Sequence, residues 1–449
     1  MRILVARSDV DVDTVDTMYD RTPLWWAAKN GHEEVVRILA ARSEVNVDIA
    51  DDYGETPLLW AARKGHNGVV RILLERNDID PEAANQYDQT PLSQAARYGN
   101  EGVLRILLGR SDVNPNSVDQ NALTPLHWAA RKGHEGVVRI LLGRDVYPDT
   151  PDNAGRTPLS WAAQYGHEGV LRILLGRSDV NPNSADQNAL TPLLWASRKG
   201  HTGVVRILLE RNDIDPEAAN QYDQTPLSQA ARYGNEGVLR MLLGRSDVNP
   251  NSANQNALTP LHWAARKGHE GVVRILLEGD VYPDTPDNEG QTPLWWAARC
   301  GCEEVVRILL ERNDVYPDTA NKQGRTPFWM AARYGSKRMV KMLLGRNEVN
   351  PAIGDQDGRT PLSHAAQYGC EGNVEILLER NDVYPDKADK YGRTALWWAM
   401  TPMRLRIIKL LQDREDSISK HVASLQPTEV FPTEQSGPSR PPFKRARTC

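Results

Sequence analysis

A threonine–proline–leucine tripeptide returns at Thr22, Thr56, Thr90, Thr124, Thr157, Thr191, Thr225 and Thr259 and continues at Thr292, Thr326, Thr360 and Thr394, always 33 or 34 residues apart. Phe328 and Ala395 are its two departures. A fixed period of this length replaces the several globular domains that 449 residues would otherwise suggest with one stack of similar units. The unit from Thr157 to Leu190 shows what each copy folds into. Thr157 is a good helix N-cap, and Pro158 suits the first helical position, where its missing N–H is not needed. Leu159, Ala162 and Ala163 form a narrow apolar stripe whose alanines let a neighbouring helix come close. Gly166 supplies the left-handed residue that ends this helix after about two turns. A second helix begins near Glu168 with Val170, Ile173, Leu174 and Leu175 as its apolar face, and Ser178 to Leu190 returns through turns to the next threonine. The unit is a helical hairpin plus a projecting finger. Neither helix reaches the ~12–15 residues at which an isolated helix becomes marginal, so each unit needs its neighbours.

Composition fits this reading. Hydrophobic residues at 40% and charged residues at 25% describe a folded, soluble chain, and a net charge of -5 argues against a protein whose main task is neutralising phosphates. Met1 to Val10 has neither the apolar core nor the cleavage site of a secretory signal, and no apolar run reaches membrane-spanning length, so an intracellular location, cytoplasmic or nuclear, is expected. Cys302 and Cys370 share one register two units apart, roughly 20 Å, too far for a disulfide. Cys300 and Cys302 lack the further ligands that a zinc site requires, and free thiols are the simpler reading.

The wording T-P-L-S-W-A-A-Q-Y-G-H, then V-L-R-I-L-L and a D-V-N segment, resembles the ankyrin repeat across residues 1 to 423. With W-A-A and R-I-L-L-E-R-N-D-V, the copies are most similar to ankyrin arrays of fungal multidomain proteins. The resemblance implies an all-α solenoid of about twelve stacked helix-turn-helix units with finger loops, and a protein-protein interaction module or scaffold with no catalytic activity. The finger glycine of the family is kept at Gly54, Gly155, Gly290, Gly324, Gly358 and Gly392, but is Asp20, Asp88 and Asp223, or Ala122, Ala189 and Ala257, elsewhere. Alanine enters the left-handed region reluctantly, so the alanine fingers are expected to differ in shape, with Asn121, Asn188 and Asn256 available for the turn.

Domain boundaries follow from the register. Residues 1–16 align with the second helix of a unit and its loop, as in a fragment of a longer array, and residues 17–423 carry the twelve units. In the last of these Met403, Arg404 and Gln412 replace glycine, histidine and leucine to make a polar cap. Residues 424–449 are proline-rich and apolar-poor, the composition of a disordered tail. Lys444, Arg445 and Arg447 in that tail resemble a nuclear import signal, which gives an alternative function as a nuclear scaffold or transcription regulator. Residues 56–156 also recur at 191–291 with nine differences in 101 positions, so any site in that block exists twice.

No chemistry emerges from the motifs. All twelve tryptophans occupy the two columns after the tripeptide, which reads as a ladder packed between first and second helices rather than a cofactor box. His32, His66, His134, His167, His201 and His269 recur once per unit, as structural residues bonding the loops would, and His127 and His262 read the same way. No nucleophile is paired with a histidine, no phosphate-binding loop is present, and Asp9, Asp11 and Asp13 lack the remaining ligands of a calcium loop, so no cofactor, metal or small-molecule substrate is expected.

The two residues between the paired alanines and the helix-ending glycine fall, as the resemblance implies, on the concave face. They include Arg63 with Lys64, Arg97 with Tyr98, Arg131 with Lys132, Gln164 with Tyr165, Arg198 with Lys199, Arg232 with Tyr233, Arg266 with Lys267 and Arg333 with Tyr334. With Lys29, Asn30, Arg299, Cys300, Gln367 and Tyr368 there are 22 such positions, of which thirteen are basic and none acidic. Cations at a helix C-terminus gain about 0.3–1 kcal/mol from the helix dipole and need no partner. The interleaved tyrosines have no such explanation, and arginine with tyrosine is what binding hot spots favour. The expected partner is therefore another protein presenting an acidic segment, with nucleic acid, membrane and small molecules not expected.

Overall fold

The computed structural model describes residues 11–400 and 404–425, with side chains described as far as residue 418. Residues 1–10 of the half-unit expected at 1–16, Met403 and the basic cluster Lys444, Arg445 and Arg447 lie outside the described residues. Two compact parts are present, residues 1–349 and 350–449. Among the described residues every regular element is a helix, and none is long and apolar enough to cross a membrane.

The first part holds ten helix pairs, from Pro23–Lys29 with Glu33–Ala40 to Pro327–Tyr334 with Lys337–Leu344. The local chemistry repeats in each. Thr157, extended at φ -85° and ψ 166°, accepts the Ser160 N–H at its Oγ1, and Pro158 opens the helix Pro158–Tyr165. Gly166 at φ 79° ends it. A Cβ at Gly133, its counterpart one unit earlier, would stand 2.5 Å from His167 Nδ1, so glycine is required there by both φ and space. Gly335 departs from this pattern with φ -84°, and Ser336 caps the following helix by accepting the Met339 N–H.

Three hydrogen-bonded seams join successive units. The histidines of the G-H pairs reach back to the last turn of the preceding first helix, as His167 Nε2 does to the Arg131 carbonyl at 3.0 Å and His201 Nε2 to that of Gln164 at 3.0 Å. Asn100 and Asn235 do the same with their amides. On the opposite edge an arginine after the second helix grips a carboxylate two residues on and the preceding unit's last helical carbonyl. Arg245 holds Asp247 at 2.6 Å and the Leu209 carbonyl at 3.0 Å, and Arg110, Arg177, Arg211 and Arg312 repeat this. Most fingers add one backbone bond, such as Gln187 N–H to the Ala154 carbonyl at 2.9 Å.

The alanine fingers correct an expectation. Ala122, Ala189 and Ala257 adopt φ of 58°, 57° and 59°, the same left-handed turn as the aspartate and glycine fingers. In the Ala189 finger, Asp186 imposes it by accepting the Asn188 and Leu190 N–H groups at one carboxylate oxygen, so the neighbouring aspartate rather than the turn residue sets the shape. Replacing the three alanines with glycine is expected to raise stability by up to about 1 kcal/mol each. A denaturant melt tests this, and an unchanged or lower midpoint would mean that the turn is unstrained.

The second part contains Pro361–Tyr368, Glu371–Leu378, Ala395–Ala399 and Leu405–Leu425. Its last helix has 21 residues and extends two residues past the boundary drawn from sequence. Arg406 pairs with Glu371 and Glu375 of the preceding unit, while Arg404, at the usual histidine position, bonds the Trp398 carbonyl of its own unit.

A tryptophan-arginine face as candidate binding surface

Most of the tryptophans are buried or half-buried, as the ladder expected from sequence requires, and its two columns make different hydrogen bonds. Trp25, Trp295 and Trp329, three residues after the capping threonine, are 0%, 2% and 1% exposed. Trp25 donates its indole N–H to the Glu55 carbonyl and Trp295 to that of Arg325, each the residue just before the next unit's capping threonine, so this column ties one first helix to the start of the next. The column one residue later is also largely buried, with Trp128, Trp161, Trp263 and Trp296 at 6%, 4%, 7% and 9% exposure. Trp128, Trp161, Trp195 and Trp296 each donate the indole N–H to an aspartate of the preceding finger, Asp119, Asp152, Asp186 and Asp287, at 3.0–3.1 Å. These four aspartates are engaged by their own turns and by these indoles. Trp263, with Asn254 in place of the aspartate, keeps a buried indole nitrogen without a partner.

Guanidinium groups lie over the rings of this second column. Arg97 is 4.5 Å from the Trp128 ring centre, Arg131 is 4.6 Å from Trp161, Arg232 is 4.5 Å from Trp263 and Arg266 is 4.4 Å from Trp296. Two of these arginines also approach the tryptophan of their own helix, Arg131 at 5.3 Å from Trp128 and Arg266 at 5.6 Å from Trp263. Rings and cations thus alternate along the stack. The spacing carried this signal: tryptophan and arginine stand three residues apart on one helix, hence on one face, although the sequence reading treated them separately.

The residues predicted from sequence do assemble on this face, in two rows. Arg97, Arg131, Arg198, Arg232 and Arg266 are half-buried, while Lys64, Tyr98, Lys132, Tyr165, Lys199, Tyr233 and Lys267 are exposed beyond them and alternate lysine with tyrosine. Tyr165 stacks on Trp161 with ring centres 5.8 Å apart, and Arg333 lies 4.4 Å from the ring centre of Tyr334. Arg63 is different, because the buried Glu55 carboxylate pairs with its guanidinium and Gln94 accepts from its Nε. Among the described residues, Arg97, Arg131, Arg198, Arg232, Arg266 and Arg299 form no ion pair. The loop arginines Arg76, Arg110, Arg177, Arg211, Arg245, Arg312 and Arg380, by contrast, each have a carboxylate.

His127 and His262 are buried and bonded at both nitrogens. His127 Nδ1 accepts from the Thr124 backbone N–H at 3.1 Å, and Nε2 meets the carbonyl of Arg156, just before the next unit's capping threonine, at 3.2 Å. Burial pushes both imidazoles down to about 4, so they are neutral scaffold groups rather than acid-base catalysts. Cys300, Cys302 and Cys370 are free thiols, with burial pushing Cys300 and Cys302 upward, and no group of metal-ligating side chains is found among the described residues.

A family model for ankyrin repeats, in three copies, matches residues 1–85, 43–119, 92–186, 178–252, 246–321 and 328–421. No curated protein matches the sequence.

Proposed function

Since the chain belongs to the ankyrin-repeat family, whose members are generally protein-protein interaction modules and typically not enzymes, we propose that it binds an acidic segment of a partner protein along its tryptophan-arginine face. The observation that supports this reading is the row of guanidiniums without carboxylates. A half-buried cation loses hydration, and a loop arginine recovers the loss through its aspartate. Arg97, Arg131, Arg198, Arg232 and Arg266 recover it from indole faces and from the helix C-terminus they occupy. Those contacts fix the guanidinium planes and leave N–H donors unmatched, which suits bidentate recognition of carboxylates. Exposed tyrosines beside them add apolar area at small entropic cost. The face then offers fixed cations and aromatic rings with no competing acid, as an acidic polypeptide requires.

Nucleic acid would use the same cations, but the chain's net charge of -5 works against a polyanion far larger than the face. The test is a titration of the full chain with a fluorescein-labelled octapeptide of alternating glutamate and glycine, with a 20-base-pair DNA duplex as competitor. Binding that weakens as salt rises and resists the duplex supports the proposal. Displacement of the peptide by lower concentrations of duplex than of unlabelled peptide would assign the face to nucleic acid instead.

A further inference from the structure

The copied block presents this face twice. None of the nine differences between residues 56–156 and 191–291 falls on a concave pair: Arg63–Lys64, Arg97–Tyr98 and Arg131–Lys132 recur as Arg198–Lys199, Arg232–Tyr233 and Arg266–Lys267. The geometry recurs as well. Arg97 over Trp128 and Arg232 over Trp263 both stand at 4.5 Å, and the Gln94 and Gln229 amides each donate to a finger glutamine at 2.6 Å. Between the copies lies the unit from Thr157, where Gln164 and Tyr165 replace the arginine-lysine pair and Tyr165 is stacked on Trp161. Two cationic patches are thus separated by a neutral, aromatic one. One difference from outside the block changes the charge of the first pair: Glu55 neutralises Arg63, whereas Leu190 stands at the equivalent place before Arg198.

We propose that one chain holds two acidic segments of the same kind at once, one on each copy, with the second copy the stronger because Arg198 is unpaired. This rests on the reading of the face as a site for acidic polypeptide. Corresponding points of the copies are four units apart, about 40 Å at ~10 Å per layer. An extended octapeptide covers about 26 Å. Two such segments therefore fit without overlapping, and neither needs the neutral unit. A partner carrying the motif twice gains the multivalent advantage, of order 10²–10⁴ in favourable geometry.

The glutamate-glycine octapeptide measures this directly. The expected stoichiometry is two per wild-type chain. Lys64→Glu with Lys132→Glu should leave one, Lys199→Glu with Lys267→Glu should leave one, and the four changes together should leave none. These lysines are exposed, so the variants are expected to fold, and Arg97→Gln against Arg232→Gln provides a second comparison should one lysine pair prove unstable. Two octapeptides joined by a twelve-residue glycine-serine linker, of r.m.s. length about 20 Å, should bind wild type at least tenfold more tightly than the single peptide. Either lysine-pair variant should lose that gain. One peptide per wild-type chain, or loss of all binding in one lysine-pair variant alone, overturns the two-site proposal and leaves the acidic-segment reading standing. Absence of binding to wild type, or equal binding to every variant, overturns both.

Discussion

Lowering the pH from 6.5 to 4 is expected to cost the folded protein roughly 3 kcal/mol at each of His127 and His262. Both imidazoles are held near 4 by burial, against an ordinary value of 6.5. Between those values the unfolded chain binds more protons than the folded one. The stability is therefore fully present above pH 6.5 and lost as the pH falls toward 4. A concrete event underlies the loss: protonation puts a hydrogen on the Nδ1 that accepts the Thr124 or Thr259 backbone N–H. Ser93, Ser160, Ser228 and Ser363 fill this register in other units and coexist with the threonine cap, so the doubly substituted His127→Ser, His262→Ser protein should fold. It forgoes the bonds to the Arg156 and Gln291 carbonyls, so it should be less stable at pH 7.5 but show a flatter decline below 6.5. Asp284 works in the opposite direction. Burial pushes it up to about 6, with Asp314 adding to the rise, so its contribution favours the folded state at low pH and is lost as pH rises through 6. Asp284→Asn should therefore steepen the acid loss. Denaturant melts at several pH values decide the matter, and parallel declines in wild type and the double serine variant would show that the histidines are not the sensors.

Reversing charge at Arg131, Lys132, Arg198 and Lys199 should abolish most acidic-peptide binding while leaving a folded protein. Glutamate at these positions opposes a helix C-terminus, at about 0.3–1 kcal/mol each. Arg131 and Arg198 also lose ring contacts, at about 0.5–2 kcal/mol each, and Arg131 is the more costly because it touches Trp128, Trp161 and Tyr165. A denaturant melt should thus report a loss of a few kcal/mol in total. If the face is only a set of capped helix ends, that is the whole effect. If it binds acidic segments, attraction turns to repulsion and the association rate falls by orders of magnitude, most clearly at low salt. Tyr165→Ala and Tyr233→Ala should instead raise the off-rate with little salt dependence. Binding that survives both sets of changes in folded protein would remove the face from consideration.

The hairpins were legible because three cheap signals agree in every unit: threonine before proline, an alanine-rich stripe, and glycine two turns on. The histidines were legible as loop-bonding residues for a similar reason, since recurrence in register marks a structural role. What escaped was chemistry that depends on the neighbouring unit. Whether Arg63 is available depends on Glu55, the last residue of the preceding unit, whereas Arg198 in an otherwise copied setting follows Leu190. The burial of the second tryptophan column was legible because the residue is large, apolar and recurs in register. What the register did not show is that cations from two units close over its rings. The alanine fingers were misjudged because propensity was weighed at the turn residue alone, while Asp186 and its counterparts hold the turn from three residues away.

The backward-reaching bonds of His66, His134, His167, His201 and His269 end on main-chain carbonyls of Lys29, Arg97, Arg131, Gln164 and Arg232, respectively. The acceptor is an atom every residue possesses, so each unit can follow any other without a matching change in its predecessor. His66 and His201 show this, occupying the same place in the two copies of the block while resting on units that carry lysine and glutamine. A gene segment encoding whole units can be copied, lost or transposed and still encode a junction that closes. Lineages of such arrays are then free to change in length faster than in seam chemistry, with the exposed lysine and tyrosine row left to diverge on a frame that stays the same.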